Sequence, residues 1–207
     1  MNQKILLDIK KFRCPPVFFT NRSLVTDFEE VIKNLPKNST ILIREYDLDK
    51  KLRQDFAQKI VDLVRGKFYL KRLKILVGKD FALAKKVKAN GVHFSDFDKL
   101  PLQFLKKKSF AKNFVFSAAC HDFKSVVRFS KLKTDLVFIS PIFSTASHPN
   151  TKKIGLRNLM KFFLQIRSRK CVLSETKLFV LGGISSKNIR VLAKLPICGF
   201  GAINIFN

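Results

Sequence analysis

The sequence predicts a (β/α)8 barrel, the TIM-barrel architecture, on three observations. Eight short apolar runs alternate with longer stretches of helical periodicity. The runs are almost continuously apolar, which is typical of parallel strands covered on both faces. No glycine-rich dinucleotide fingerprint follows the first run, which disfavours the rival fold, a doubly wound open sheet. We therefore expect a single domain over residues 1–207, which is compact for a class in which about 250 residues are typical.

The eight predicted strands are rich in valine, isoleucine, leucine and phenylalanine. In chain order they are VFFT (17–20), TILIRE (40–45), LKILV (73–77), GVHF (91–94), NFVFSA (113–118), DLVFIS (135–140), KLFVLGG (177–183) and ICGFGAI (197–203). Because the eighth run nearly reaches Asn207, the last helix of the barrel is expected to be short or absent.

The clearest predicted helix occupies residues 48–66, where apolar side chains recur at helical spacing. Gly66 is expected to form its carboxy-terminal cap. Residues 80–90 show the same pattern. A further helix is expected to begin after a serine cap, either Ser185 or Ser186. Seven such helical stretches separate the eight strands, as a barrel requires.

The charge of the chain is strongly unbalanced, with 41 Lys and Arg against 15 Asp and Glu, a net charge of +26. One interpretation is a protein that binds nucleic acid or anionic lipid. The other is a set of solvated helix faces. The basic residues are scattered as pairs and triplets rather than gathered in one arm, which favours the second interpretation. We expect no specific nucleic-acid partner and no membrane.

The cysteines and the amino terminus indicate the cellular compartment in which the protein works. The cysteines form no CxxC pair, so a metal knuckle or redox motif is not indicated; they are Cys14, Cys120, Cys171 and Cys198. Free buried thiols fit a reducing compartment, and a cytoplasmic location is expected. No apolar run approaches the ~18 residues that a membrane span needs. Charged residues within 1–12 argue against a signal peptide.

Polar residues follow most of the predicted strands, at the end where a parallel barrel forms its active site. We therefore expect His93 to point into a site rather than into a core. The polar residues at this end are Arg44, Glu45, Lys79, Asp80, His93, Asp96, Asp98, Ser117, His121, Thr145, Ser147, His148, Gly182 and Gly183.

This set of residues indicates anion binding. Arg44 can bind a phosphate through two parallel hydrogen bonds, although it could equally form a structural ion pair with the adjacent Glu45. Gly182 and Gly183 lead into a helix amino terminus, where free backbone N–H groups favour a phosphate; the alternative is a simple turn. The loop after the sixth strand offers further donors, from Thr145, Ser147 and His148.

The carboxylates near the fourth strand indicate a metal site. Asp96 and Asp98 could hold Mg²⁺, which prefers carboxylate and phosphate oxygens. The alternative for Asp98 is an amino-terminal cap for a helix that begins near Lys99. His121, after the fifth strand, could act as an acid or base, or could simply cap a helix or pack.

Four stretches resemble the thiamine phosphate synthase/TenI family of barrels. They are LIREYD (42–47), GVHFSDFD (91–98), SPIFSTASHP with the following IGL (140–156) and LGGISSKN (181–188). The resemblance implies a transferase that joins a hydroxymethylpyrimidine diphosphate to a thiazole phosphate and releases diphosphate. It also implies a Mg²⁺ cofactor, small phosphorylated substrates, and a homo-oligomer as one option for assembly.

The resemblance also implies roles for individual residues. Arg44, Thr145 and Ser147 would hold the diphosphate, with His148 at the position of a family lysine. Asp98 would bind Mg²⁺, and Asp80 would assist if the loop is shifted by one residue. His93 would line the pyrimidine pocket, with Ser117 as a further substrate contact. Gly182 and Gly183 would hold the thiazole phosphate.

The sequence departs from the family pattern mainly on the pyrimidine diphosphate side. Leu42 stands where the family has a glutamine, Tyr46 where it has a lysine, and Gly78-Lys79 where it has an Asn-Asp pair. A second activity is therefore considered, the thiazole tautomerase of the same family, which needs a histidine such as His121 but no Mg²⁺. The remaining alternatives are a barrel that only binds a phosphorylated ligand and, more remotely, a basic nucleic-acid-binding protein.

Overall fold

Eight parallel strands close into a barrel in the computed structural model, which describes residues 3–96, 98, 114–145, 153–168 and 175–206. Each strand pairs with its neighbour in the chain, and the last strand pairs with the first. The predicted barrel is confirmed. The strands are β1 (Val17–Phe19), β2 (Thr40–Ile43), β3 (Lys74–Gly78), β4 (Gly91–Phe94), β5 (Val115–Cys120), β6 (Leu136–Ile139), β7 (Lys177–Leu181) and β8 (Gly199–Ala202).

Helices precede, separate and surround the strands within the described residues. They are α1 (Gln3–Ile9), α2 (Phe28–Asn34), α3 (Lys50–Gly66), α4 (Phe81–Lys86), α5 (Phe123–Lys131), α6 (Gly155–Ser168) and α7 (Ile189–Leu192), with 3₁₀ turns at Tyr69–Lys71 and Asn204–Phe206. Residues 99–113, where a helix near Lys99 was expected, lie outside the described ranges. As expected, the described residues after β8 form only a 3₁₀ turn. The sequence did not predict α1, which contacts α7 in the outer layer.

Aspartate begins four of the helices, because its side chain accepts a backbone N–H that the first helical turn leaves unpaired. The four caps are Asp27 on α2, Asp49 on α3, Asp80 on α4 and Asp122 on α5.

Two expected caps are wrong. Gly66 is the last residue of α3, and Lys67 follows it as the cap in a right-handed helical conformation. Asn188 rather than a serine stands at the start of α7. The Asn188 side chain spans the preceding turn, accepting the N–H of Ser185 and donating to the carbonyl of Gly183.

Two apolar layers hold the barrel together. A small cluster fills the inside of the strand ring, and it includes Phe19, Leu42, Leu76, Phe138 and Phe179. A larger cluster joins the outer face of the strands to the helices. The inner cluster closes the barrel as a packed core, so ligands have access only at its ends. No helix in the described part of the chain is long and apolar enough to cross a membrane.

Candidate active site

His93 lies at the top of the inner cluster, at the carboxy-terminal end of β4. Its ring packs edge-on against Phe19 and Phe138, with both ring centroids 5.8 Å away. Its Nδ1 shares a hydrogen bond of 2.9 Å with the buried hydroxyl of Ser117 on β5. Burial, with smaller contributions from the nearby cations, lowers the pKa of His93 to about 3. The ring is therefore neutral at working pH. It forms the floor of the mouth and does not act as an acid.

Arg44 stands above this floor, directly after β2. Its guanidinium lies 5.4 Å from the centroid of the Phe19 ring. The expected alternative, an ion pair with Glu45, is not formed, because Glu45 binds Arg22 instead through atoms 3.2 Å apart. Within the described residues, the Arg44 guanidinium makes no hydrogen bond or ion pair. Burial lowers its pKa from the ordinary value, but an arginine remains charged. A half-buried cation in this state favours an anionic ligand.

Tyr46, Lys79 and Arg53 form a cluster of one aromatic ring and two cations beside Arg44, and the sequence did not mark Arg53 as a site residue. The hydroxyl end of Tyr46 lies against Gly78 and leaves no room there for a Cβ atom. Lys79 Nζ lies 5.1 Å, and the guanidinium carbon of Arg53 5.3 Å, from the Tyr46 ring centroid. Arg53 also donates a hydrogen bond to the Gly78 carbonyl. Arg53 lies on α3, far from the strand motifs, which is why strand-end reasoning missed it.

The two carboxylates predicted to bind Mg²⁺ already have partners. One oxygen of Asp98 accepts the Ser95 N–H at 2.5 Å, and the other lies 3.5 Å from the Lys79 ammonium. Asp80 accepts the N–H of Leu83 at 2.8 Å as the cap of α4, and it lies 3.8 Å from Arg53. The Asp80 carboxylate is thus engaged by the first turn of α4 and by Arg53 of α3.

Asp96 also has a structural role. Its side chain accepts the N–H of His121 at 3.1 Å and a hydrogen bond from Arg128 at 3.0 Å. Among the residues that the structure describes, no group of three histidine, cysteine or acidic side chains is placed to hold a metal ion. The described carboxylates at this rim are therefore engaged by the protein and form no ready-made set of ligands for Mg²⁺.

His121 lies on a different side of the barrel rim. Its Nδ1 is 2.8 Å from the Ser140 carbonyl, so Nδ1 carries the proton and Nε2 is the basic nitrogen. The residue borders a cavity of about 260 Å³ that is also lined by Ile139 of β6 and by Leu159 and Phe162 of α6. Because these apolar residues belong to the outer cluster, the cavity lies between the strands and the helices.

The glycine turn after β7 contacts the loop that follows β6. Gly182 and Gly183 have φ angles of +100° and +64°, which favour glycine. A Cβ on Gly182 would overlap Pro141, and one on Gly183 would overlap the Ser144 carbonyl oxygen. No hydrogen bond among the described residues uses the N–H of Gly183. Thr145 follows Ser144 and therefore lies near this turn.

The structure thus brings most of the predicted residues to one end of the barrel, but in separate groups. Arg44, His93, Ser117 and Asp98 gather between β2 and β5, and Thr145 lies with the glycine turn. Ser147 and His148 lie outside the described residues.

The fold and this rim define a parallel β/α barrel with a cation-rich carboxy-terminal mouth. Residues 16–204 match the family model described as thiamine monophosphate synthase, and the chain belongs to that family. It is 26% identical over 180 residues to "Putative thiamine-phosphate synthase 2" of Aquifex aeolicus (strain VF5), a match that covers 87% of this chain and 90% of that protein.

Solved structures show the same fold. Thiamine phosphate pyrophosphorylase from Pyrococcus furiosus superposes with a TM-score of 0.70 at 19% identity, over 94% of this chain and 87% of the other. KDPG aldolase from Legionella pneumophila superposes with a TM-score of 0.58 at 11% identity, over 92% and 83% of the two chains. At these identities the likeness concerns the fold alone.

Proposed function

We propose that the protein is a transferase of thiamine biosynthesis, which joins a hydroxymethylpyrimidine diphosphate to a thiazole phosphate and releases diphosphate. Family membership supports the pathway. The observation that carries the reaction is the Arg44 guanidinium, half-buried over Phe19 and without a partner among the described residues.

The chemistry requires negative charge to be neutralised as the bond between the pyrimidine methylene carbon and the diphosphate oxygen breaks. Arg44 is placed to bind that diphosphate, because a fixed guanidinium presents two parallel donors to phosphate oxygens. The neutral His93 ring packs edge-on against Phe19 and Phe138, and this mostly apolar cluster would form the floor beneath the pyrimidine. The thiazole phosphate would bind the glycine turn on the other side of the mouth, through the N–H of Gly183.

The leaving diphosphate and the incoming thiazole would then occupy opposite sides of one floor. The thiazole nitrogen attacks the pyrimidine methylene carbon, the bond to the diphosphate oxygen breaks, and the electron pair leaves with the diphosphate.

The test is turnover of the two substrates by the purified protein, with thiamine phosphate and diphosphate measured together. We expect equal amounts of both products from the unaltered protein and a large loss of rate in Arg44→Met. Absence of thiamine phosphate from the unaltered protein, under conditions where both substrates bind, would refute the proposal.

One observation favours the tautomerase as a second candidate. The Ser140 carbonyl fixes the proton of His121 on Nδ1, which makes Nε2 a base. A tautomerase should lose about 10²- to 10⁴-fold in rate with His121→Ala, the usual contribution of a general acid or base. The transferase should retain most of its rate in the same variant.

A further inference from the structure

We propose that Lys79 takes the place of a divalent cation in the mouth, so that the protein binds the diphosphate group without Mg²⁺. The proposal rests on the proposed function, because it concerns the diphosphate side of that site. It starts from the disagreement between the expected magnesium site and the side chains that occupy the rim.

The position of Lys79 is fixed by its backbone. The residue directly follows β3 and has a φ of 58°, an uncommon value for a non-glycine residue. Its N–H donates to the His93 carbonyl at 2.7 Å, which ties this turn to β4. The side chain is 43% exposed, so the ammonium is accessible to a ligand.

The Lys79 ammonium lies beside the Asp98 oxygen that a metal would use. It is 3.5 Å from Asp98 Oδ1, while the other oxygen of Asp98 is held by the Ser95 N–H. A divalent cation at the same carboxylate would be repelled by the ammonium at short range. Mg²⁺ also requires a nearly ideal octahedral shell, and the described residues offer it no second carboxylate free of a structural role.

An ammonium can do the electrostatic work of the metal here. It donates up to three hydrogen bonds to phosphate oxygens and requires no fixed coordination number. Arg44 supplies a second cation on the same side. Besides burial, the largest cause, both Arg44 and Lys79 lower the pKa of His93, so both charges act on one ring. Together with Asp98 these two cations leave an excess positive charge for a polyanion.

Arg53 does not compete for this role. Its guanidinium donates to the Gly78 carbonyl and lies 3.8 Å from Asp80, so it is engaged by the scaffold. Its position against the Tyr46 ring helps to hold the tyrosine that Lys79 also contacts. We therefore assign the metal-replacing role to Lys79.

The test is calorimetry with inorganic diphosphate, in excess EDTA and in excess Mg²⁺. We expect the unaltered protein to bind in EDTA, and Lys79→Met to weaken that binding about 10- to 100-fold, the usual loss for a charged hydrogen bond. The matched control is Lys74→Met, at the other end of β3 and thus at the opposite end of the barrel, which should bind normally. Thermal unfolding of each variant verifies that it is folded.

Two further variants distinguish a role of the Lys79 ammonium from that of a bound metal ion. Asp98→Asn removes the carboxylate that competes for Lys79 and should bind diphosphate in EDTA at least as tightly as the unaltered protein. Lys79→Asp places two carboxylates side by side and should make diphosphate binding depend on Mg²⁺. If a metal normally bridges Asp98 and the ligand, Asp98→Asn should instead lose affinity.

Binding that requires Mg²⁺ in the unaltered protein, no binding in either condition, or unchanged binding by Lys79→Met would overturn the proposal. Failure of this proposal can be distinguished from failure of the proposed function. Thiamine phosphate formed only with Mg²⁺ would leave the reaction standing and refute the role of Lys79. Diphosphate binding in EDTA that depends on Lys79, without turnover, would support Lys79 and refute the reaction.

Discussion

The two sides of the barrel mouth are built from different parts of the chain. Between β2 and β4 the rim consists of charged and aromatic side chains, with Arg44, Lys79 and Asp98 at its centre. Between β6 and β8 the rim consists of backbone, with Gly182 and Gly183 packed against the loop after β6. We call these the side-chain half and the backbone half.

The difference offers a reason why the departures from the family pattern lie mainly in the side-chain half. A charge in the side-chain half can move to another residue without disturbing the barrel, because the long side chains extend beyond the strands. In the backbone half, the N–H groups are positioned by φ angles and close contacts that other residues cannot adopt. We infer that substitutions in the side-chain half leave the fold intact but change the chemistry of the site. Substitutions at the glycines of the backbone half should disturb both the fold and the site.

The largest expected effect is on the backbone half. Gly183→Ala should lower the free energy of unfolding by about 2 to 5 kcal/mol, because the new Cβ overlaps the Ser144 carbonyl oxygen and the backbone has a positive φ. The control is Gly155→Ala, which shares a positive φ of +74° but meets no atom within 4 Å. In this control the free energy of unfolding should fall only by the strain of a left-handed residue with a Cβ, about 1 to 2 kcal/mol. Urea unfolding of both variants measures the difference, and equal losses would contradict the packing argument.

The next effect is on the side-chain half. Arg44→Met should weaken binding of inorganic diphosphate about 10- to 100-fold, because a charged hydrogen-bonding group is lost, while the stability hardly changes. Arg190→Met, an exposed arginine on α7, is the matched control and should bind normally. Calorimetry reports the affinity and thermal unfolding reports the stability. A marked loss of stability in Arg44→Met would indicate a structural arginine instead.

A third effect, small near neutral pH, concerns the floor that both halves share. The pKa of His93 is about 3 in the folded protein, below its ordinary value of 6.5. Protonation therefore favours the unfolded chain, so His93 costs no stability above pH 6.5 and destabilises progressively as the pH falls from 6.5 towards 3. The expected loss is about 1.4 kcal/mol per pH unit in that window.

His93→Gln removes this titration while retaining a polar group next to Ser117. Urea unfolding at neutral and acidic pH should show a shallower acid loss in the variant than in the unaltered protein. An identical pH dependence would mean that His93 is not the buried base responsible.

The barrel and part of the rim were predictable from the sequence. Continuous apolar runs fixed the strands, and the position of Arg44 directly after β2 placed it at the mouth. The role of Lys79 was not predictable, because its ammonium meets Asp98 and Tyr46 only when β2, β3 and β4 are brought side by side.

Two other residues are engaged by local hydrogen bonds that the sequence alone does not show. Asp80 was considered as a metal ligand, yet the unpaired N–H groups at the start of α4 engage its carboxylate. Ser185 was expected to begin a helix, yet the longer side chain of Asn188 spans the turn instead. Residues 1–12 were examined only as a targeting segment, so α1 was missed.

We infer that the mouth holds two separate anion sites, one in each half. The most direct test is calorimetry with inorganic diphosphate, carried out in the absence and in the presence of saturating thiazole phosphate. We predict that diphosphate still binds when the thiazole phosphate is present, and that Lys79→Met weakens only the diphosphate. Mutually exclusive binding, with both ligands weakened by Lys79→Met, would show a single anion site and contradict the claim.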